Sequence, residues 1–233
     1  VSLGTSVDAS VAAIEVADTV IAVINPNVPR TFGDAVISAD QIDFFVEDDT
    51  PLETLNFEKP NAIETAIGKN CAALIEDGAT LQMGIGAIPN AVLSELGGHK
   101  NLGIHTEMFA DGVIPLVEKG VINGANKTID VGKMVATFLL GSKQLYDYTN
   151  QNDRVLMMDV GYTNDPFVIS RNPKVTAINS ALQVDLTGQI CADSLGTKCY
   201  SGVGGQVDFC YGASRSLGGK AIIAMPSTTE KGI

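Results

Sequence analysis

Thr80-Leu81-Gln82-Met83-Gly84-Ile85-Gly86-Ala87-Ile88-Pro89-Asn90-Ala91-Val92-Leu93-Ser94-Glu95-Leu96 is the stretch that decides the fold. Thr80 to Met83 has strand character, Gly84 to Pro89 supplies a glycine-bearing turn, and a helix is expected from Asn90 to Leu96. The alternation continues downstream. Strands are expected at Leu102 to Thr106, Val135 to Leu139, Val155 to Asp159, Val175 to Ala181 and Ala221 to Met225, with helices at Asp111 to Lys119 and Ser142 to Tyr148. Upstream, Ile63, Ile67, Cys71 and Leu74 fall at helical spacing behind Asn61 as cap, with Gly78 as the stop. The strands are rich in Val, Ile and Leu without strict alternation, as expected where both faces are covered. These features describe an α/β fold, a largely parallel sheet flanked by helices.

Ahead of this pattern the chain reads differently. Residues 1–46 hold a helix-like stretch, Ala9 to Ala17, the apolar run Val20 to Ile24 and the turn Asn25-Pro26-Asn27-Val28-Pro29, and are expected to be the end of a separate domain. Residues 47–60 carry Glu47, Asp48, Asp49 and Glu53 ahead of Pro60 and read as an acidic, solvated linker. Residues 61–233 form the second domain. Both ends read as cut, since Val1 is not an initiator methionine and Ile233 directly follows a strand-like run.

Composition narrows the function. With 233 residues, 45% of them hydrophobic and 18% charged, the chain is long and apolar enough for a substantial core. No apolar run reaches the eighteen or so residues of a membrane helix, so no membrane partner is expected. A formal charge of −12 repels the phosphates of nucleic acid at long range and argues against that partner. Cys71, Cys191, Cys199 and Cys210 include no C-x-x-C pair, and His99 and His105 are the two histidines, so zinc-ligand spacing is absent and no metal is expected. Four scattered cysteines are most simply reduced and buried, which suits the cytoplasm.

Three segments can carry chemistry. Gly84-Ile85-Gly86-Ala87-Ile88-Pro89 opens a helix after a strand, where backbone N–H groups can meet a ligand; it also fits a tight turn with no ligand. Pro89 stands where a dinucleotide fingerprint needs its third glycine, which weakens that reading. Ser201-Gly202-Val203-Gly204-Gly205-Gln206-Val207-Asp208-Phe209 either leaves N–H groups free for an oxyanion or marks a bulge or sharp bend in the sheet. In His105-Thr106-Glu107-Met108-Phe109-Ala110-Asp111-Gly112, Glu107 ends a buried strand before a helix. There it is either a nucleophile facing a ligand or a helix-start acid. The residues alone stop at an α/β domain with ligand-type loops.

At these segments the chain resembles the acetyl-CoA hydrolase/transferase family of acyl-CoA:carboxylate CoA-transferases, among them the 4-hydroxybutyrate and butyryl-CoA:acetate transferases. The resemblance is carried by Val23 to Asp34, Gly84 to Pro89, Gly103 to Gly112, Asp165 to Pro173, Ile178 to Gly196 and Ser201 to Phe209, in family order across essentially the whole chain. It implies two similar domains, 1–46 closing the first and 61–233 forming the second. It implies that Glu107 attacks the thioester of an acyl-CoA in a ping-pong course through a glutamyl-CoA thioester, with 4-hydroxybutyrate, butyrate or acetate as the carboxylate. The family's glycine-rich strand maps to Gly205, with Gly204 beside it, as the oxyanion donor. Gly84, Gly86 and Gly202 are expected to line the acyl or CoA site, coenzyme A being a substrate. A cytoplasmic homo-oligomer is implied. The same intermediate opened by water makes an acyl-CoA hydrolase, and a CoA-binding module without catalysis is the remaining alternative. Two departures stand out: Asn172-Pro173 follows Arg171 where some relatives have an asparagine before His-Pro, and Gln183 replaces a glutamate.

Overall fold

The protein is described by a computed structural model over residues 1–56, 58–84 and 86–228. Strands β1 (Ile21–Ile24), β2 (Phe32–Gly33), β3 (Phe44–Glu47), β4 (Thr80–Met83), β5 (Gly103–His105), β6 (Met108–Phe109), β7 (Met134–Ala136), β8 (Phe138–Leu139), β9 (Val155–Met157) and β10 (Thr176–Ser180) precede an exposed arm. In the arm, β11 (Gln183–Val184) pairs antiparallel with β12 (Ile190–Cys191), and β13 (Ser194–Leu195) with β14 (Lys198–Cys199). The last strand is β15 (Lys220–Ala224). Among the described residues, seven strands form the main sheet in the order β15-β10-β4-β5-β7-β9-β2, every adjacent pair parallel. Leu81, Ile104, Val135, Val155 and Ile178 are wholly buried along its centre, which is why their sequence shows no strict alternation.

The helices are α1 (Ser10–Val16), α2 (Ala62–Ala72), α3 (Ala87–Glu95), α4 (Ile114–Glu118), α5 (Lys143–Thr149), α6 (Val160–Thr163), α7 (Pro166–Ile169) and α8 (Gln206–Arg215). Asn61 caps α2 as expected: its Oδ1 accepts from the N–H groups of Ile63 (2.9 Å) and Glu64 (3.0 Å), and Glu64 accepts from the Asn61 N–H (2.7 Å). The helix ends at Ala72, ahead of Gly78. The chain must turn early to bury Ile75 and Ala79, and Gly78, at φ +79°, serves the turn into β4 instead. Helix α3 starts at Ala87 rather than Asn90, because Pro89 lies in the first turn, where its missing N–H has no intrahelical partner to lose. Gly68 brings α2 and α3 together, since a Cβ there would lie 2.7 Å from the Ala91 carbonyl carbon.

One expected strand is trimmed at its ends and another breaks in the middle. Leu102 to Thr106 narrows to β5, and Val135 to Leu139 divides into β7 and β8. The break at Thr137 comes from one contact: the Glu107 carbonyl accepts the N–H groups of Thr137 (2.9 Å) and Phe138 (3.1 Å), after which β6 and β8 leave the main sheet as their own parallel pair. Residues 111–119 begin as a 3-10 turn, Asp111–Val113, and become α4 only at Ile114, because Pro115 is tolerated in the first helical turn alone. Helices α6, α7 and α8 were not legible in the expected pattern. The Ser201 to Phe209 segment is neither a bulge nor part of a strand, but a loop that enters α8 with Gly205 as its N-cap residue. The buried stripe Phe209, Gly212 and Ala213 gives α8 its inward face, packed with Ile169, Val175 and Ala177.

The first 46 residues take part in two places. Strand β2 joins the edge of the main sheet, and Val7 and Ala35 enter the main core, whereas β1 and β3 pair separately with exposed side chains. Residues 48–56 run extended and mostly exposed, tied down by Asn25 Nδ2 to the Thr50 carbonyl (2.8 Å) and by the Tyr146 hydroxyl to the Glu53 carbonyl (2.9 Å). All four cysteines are free, but only Cys71 is buried; Cys199 is exposed, because it lies on the solvated arm.

Candidate active site

From β4 through β5, β7 and β9 the sheet grows in one direction, and β10 and β15 are then added on the other side of β4. The connections therefore part between β4 and β10, and a crevice opens at the carboxyl ends of these two strands. A cleft of about 560 Å³ lies there, with Gln82, Met83 and Gly84 from one strand end and Asn179 and Ser180 from the other. Gln82 and Asn179 form a reciprocal, buried amide pair across the two strands at 2.9 and 3.2 Å. Gly84 donates its N–H to the Ile178 carbonyl (2.9 Å), and a Cβ on it would come within 3.2 Å of Asn179 Oδ1.

Glu107 faces the same cleft, half-buried, in the gap between β5 and β6. Its Oε2 accepts two hydrogen bonds, from the Gly205 N–H (2.8 Å) and from Asn164 Nδ2 (3.0 Å). Gly205 heads α8, so a free helix N–H points at the carboxylate. A side chain there would displace the carboxylate, because a Cβ would stand 2.1 Å from Oε2 and 2.6 Å from Asn164 Nδ2. Gly204 lies on the other side of the carboxylate, its would-be Cβ 3.9 Å from Oε1. Gly205, Gly204 and Gly84 thus meet Glu107 at one cleft. Gly86 and Gly202 do not line it: Gly86 caps α3 at φ +118°, and Gly202 is exposed. Ile85 lies outside the described residues.

Asn164 is the residue that sequence reading missed. It sits at the joint of α6 and α7, and its only local signal is the turn-like Asn164-Asp165-Pro166. Its Oδ1 is buried without a partner. Asn172 has a different task. Wholly buried, it accepts the Thr128 N–H (3.0 Å) on Oδ1 and the Ser216 hydroxyl (2.7 Å) on its carbonyl, joining two loops to α8.

His105 lies beneath the site, 1% exposed. Burial pushes its pKa down to about 4, so the ring is neutral, and Nε2 donates to the Thr163 carbonyl at 2.8 Å. Lys127 is buried nearby with Nζ on the carbonyls of Ile104 (3.2 Å) and Lys133 (2.9 Å), and burial lowers it to about 8. Tyr162 is pushed up to about 12 by burial and by its bond to Asp130 (2.9 Å).

A wholly parallel α/β sheet with a donor-held carboxylate at its switch point is the class that this fold and site define. The chain belongs to the acetyl-CoA hydrolase/transferase family: residues 1–55 match the model of its N-terminal domain and residues 141–233 that of its C-terminal domain. It is 56% identical over 231 residues to 4-hydroxybutyrate coenzyme A transferase of Clostridium kluyveri, an alignment covering 99% of this chain and 54% of that protein. The structure of 4-hydroxybutyrate CoA-transferase from Porphyromonas gingivalis superimposes with a TM-score of 0.90 at 44% identity, over 99% of this chain and 56% of that one. RipA from Yersinia pestis superimposes with a TM-score of 0.92 at 39% identity, over 99% and 52%. The chain spans about half the length of the curated relatives it matches.

Proposed function

We propose that this chain carries the nucleophile of a CoA-transferase that moves CoA between an acyl-CoA and a short-chain carboxylate such as 4-hydroxybutyrate, butyrate or acetate. Glu107 is the nucleophile. One oxygen, Oε1, attacks the thioester carbonyl carbon, the carbon–sulfur bond breaks, and CoA leaves as thiolate from an acyl-glutamyl anhydride. The thiolate then adds to Cδ of Glu107. Breaking Cδ–Oε1 releases the first acid and leaves a glutamyl-CoA thioester; an acceptor carboxylate reverses the two steps.

The observation that carries this reading is the division of labour between the two carboxylate oxygens. Oε2 takes both donors, Gly205 N–H at 2.8 Å and Asn164 Nδ2 at 3.0 Å. When the thiolate adds to Cδ, Oε2 is the atom that becomes the oxyanion, so the donors are in place before the charge develops. The cleft that Glu107 and Gly84 line receives the acyl group.

Residues 1–46 are proposed as the end of the family's first domain, 47–60 as a linker and 61–233 as the second domain; the matched ranges, 1–55 for the N-terminal model and 141–233 for the C-terminal one, support the order of the two domains. Gly86 and Gly202 are proposed CoA contacts on family resemblance alone. A cytoplasmic homo-oligomer belongs to the same proposal.

Mass spectrometry after incubation of the full protein with acyl-CoA tests it. A CoA-sized adduct is expected on the Glu107 peptide, absent in Glu107→Ala; turnover that survives Glu107→Ala overturns the nucleophile. CoA release that does not depend on added acetate makes the enzyme a hydrolase instead.

A further inference from the structure

Both donors to Glu107 are tied, through Thr163 and Phe209, to one buried ring. His105 closes β5 two residues before Glu107, and both side chains meet the same two segments: His105 touches Thr163 and Phe209, and Glu107 is bonded by Asn164 and Gly205. The ring contacts a neighbour of each donor. Its Nε2 bonds the Thr163 carbonyl at 2.8 Å, and because a carbonyl only accepts, Nε2 carries the proton. That peptide joins Thr163 to Asn164, whose amide holds Oε2. The ring also packs edge-on against Phe209, centroids 6.2 Å apart at 60°, and Phe209 donates its N–H to the Gly205 carbonyl at 3.0 Å in the first turn of α8. Tyr162 covers the ring from α6, centroids 6.2 Å apart.

We infer that His105 is the positioning residue that holds the Asn164 amide and the Gly205 N–H against Oε2 of Glu107. This rests on the nucleophilic role proposed above for Glu107. A core histidine with a merely structural role fills space and satisfies Thr163, and its replacement changes stability alone. A positioning histidine sets donor geometry, so its loss acts on the step in which charge develops on Oε2 and spares acyl-CoA binding.

The test compares His105→Phe, which keeps a ring without the donor, His105→Asn, whose amide is too short, and His105→Gln, which can reach Thr163. Each is made in the full protein and assayed for CoA transfer to acetate beside Glu107→Ala. Phe and Asn are expected to lower kcat about 100-fold with KM for acyl-CoA changed less than about two-fold, and Gln to recover at least about ten-fold of that loss. If one of the first two variants fails to fold, the other against Gln decides. A folded Phe or Asn variant with kcat equal to that of Gln, or with KM rather than kcat altered, overturns the positioning role. Turnover in Glu107→Ala refutes the nucleophile instead, so the two failures are told apart.

Discussion

Gly205→Ala is the sharpest perturbation of the site, because a single methyl group enters a space that is already occupied. The new Cβ would stand 2.1 Å from Glu107 Oε2 and 2.6 Å from Asn164 Nδ2, against ordinary carbon–oxygen contact at about 3.2 Å. The carboxylate must therefore retreat by about 1 Å, a displacement of the kind that costs about 100-fold when it occurs between reacting groups. It also loses the 2.8 Å bond from the Gly205 N–H. Removal of one oxyanion donor typically costs about 3 kcal/mol, so kcat is expected to fall about 100- to 1,000-fold. Stability should hardly change. Gly205 has φ −76°, an ordinary value for any L-residue, and what must move is the end of a flexible side chain. Exchange of glycine for alanine at the helix cap costs about 1 kcal/mol or less. Steady-state transfer of CoA from acyl-CoA to acetate, measured beside a thermal melt, checks both halves. An alanine variant with kcat within about three-fold of the parent refutes the donor geometry. A melt that collapses together with activity refutes the claim that the site tolerates the methyl group structurally.

Other outcomes follow from the same contacts. Asn164→Ala removes the second donor to Oε2 and should slow glutamyl-CoA formation in single-turnover mass spectrometry by about 100-fold, leaving acyl-CoA binding near its parent value. Gly68→Ala places a Cβ 2.7 Å from the Ala91 backbone and should cost about 1–3 kcal/mol in chemical denaturation, with kcat of the folded fraction unchanged. Burial holds His105 at about 4 against the usual 6.5, so as the pH falls below 6.5 the unfolded chain binds a proton that the native state refuses. Its contribution to stability is complete above about 6.5 and is lost progressively down to about 4, reaching about 3 kcal/mol. His105→Phe should flatten that part of the stability curve between pH 4 and 7, and parallel curves for parent and variant would contradict the buried neutral ring.

The amino-acid sequence by itself determined the local and periodic features: the parallel α/β sheet, read from Val/Ile/Leu-rich runs alternating with helices; Asn61 as a helix cap; and Glu107 at a strand end. These are legible because strand, helix and cap preferences act between residues close in the chain. What the tertiary structure alone decided is the company Glu107 keeps. Asn164 is 57 residues away in sequence and Gly205 is 98 away, and both reach Oε2 only because β10 is added on the far side of β4 and α8 begins over the crevice. The long-range contacts also decided between the two readings of Gly202 to Gly205, making it a helix start with a free N–H rather than a sheet bend, and divided one expected strand at Thr137, where the Glu107 carbonyl captures two N–H groups. Neither result has a periodic signature. Each depends on which distant backbone group lies within hydrogen-bonding distance, and that is set by the packing of the whole sheet.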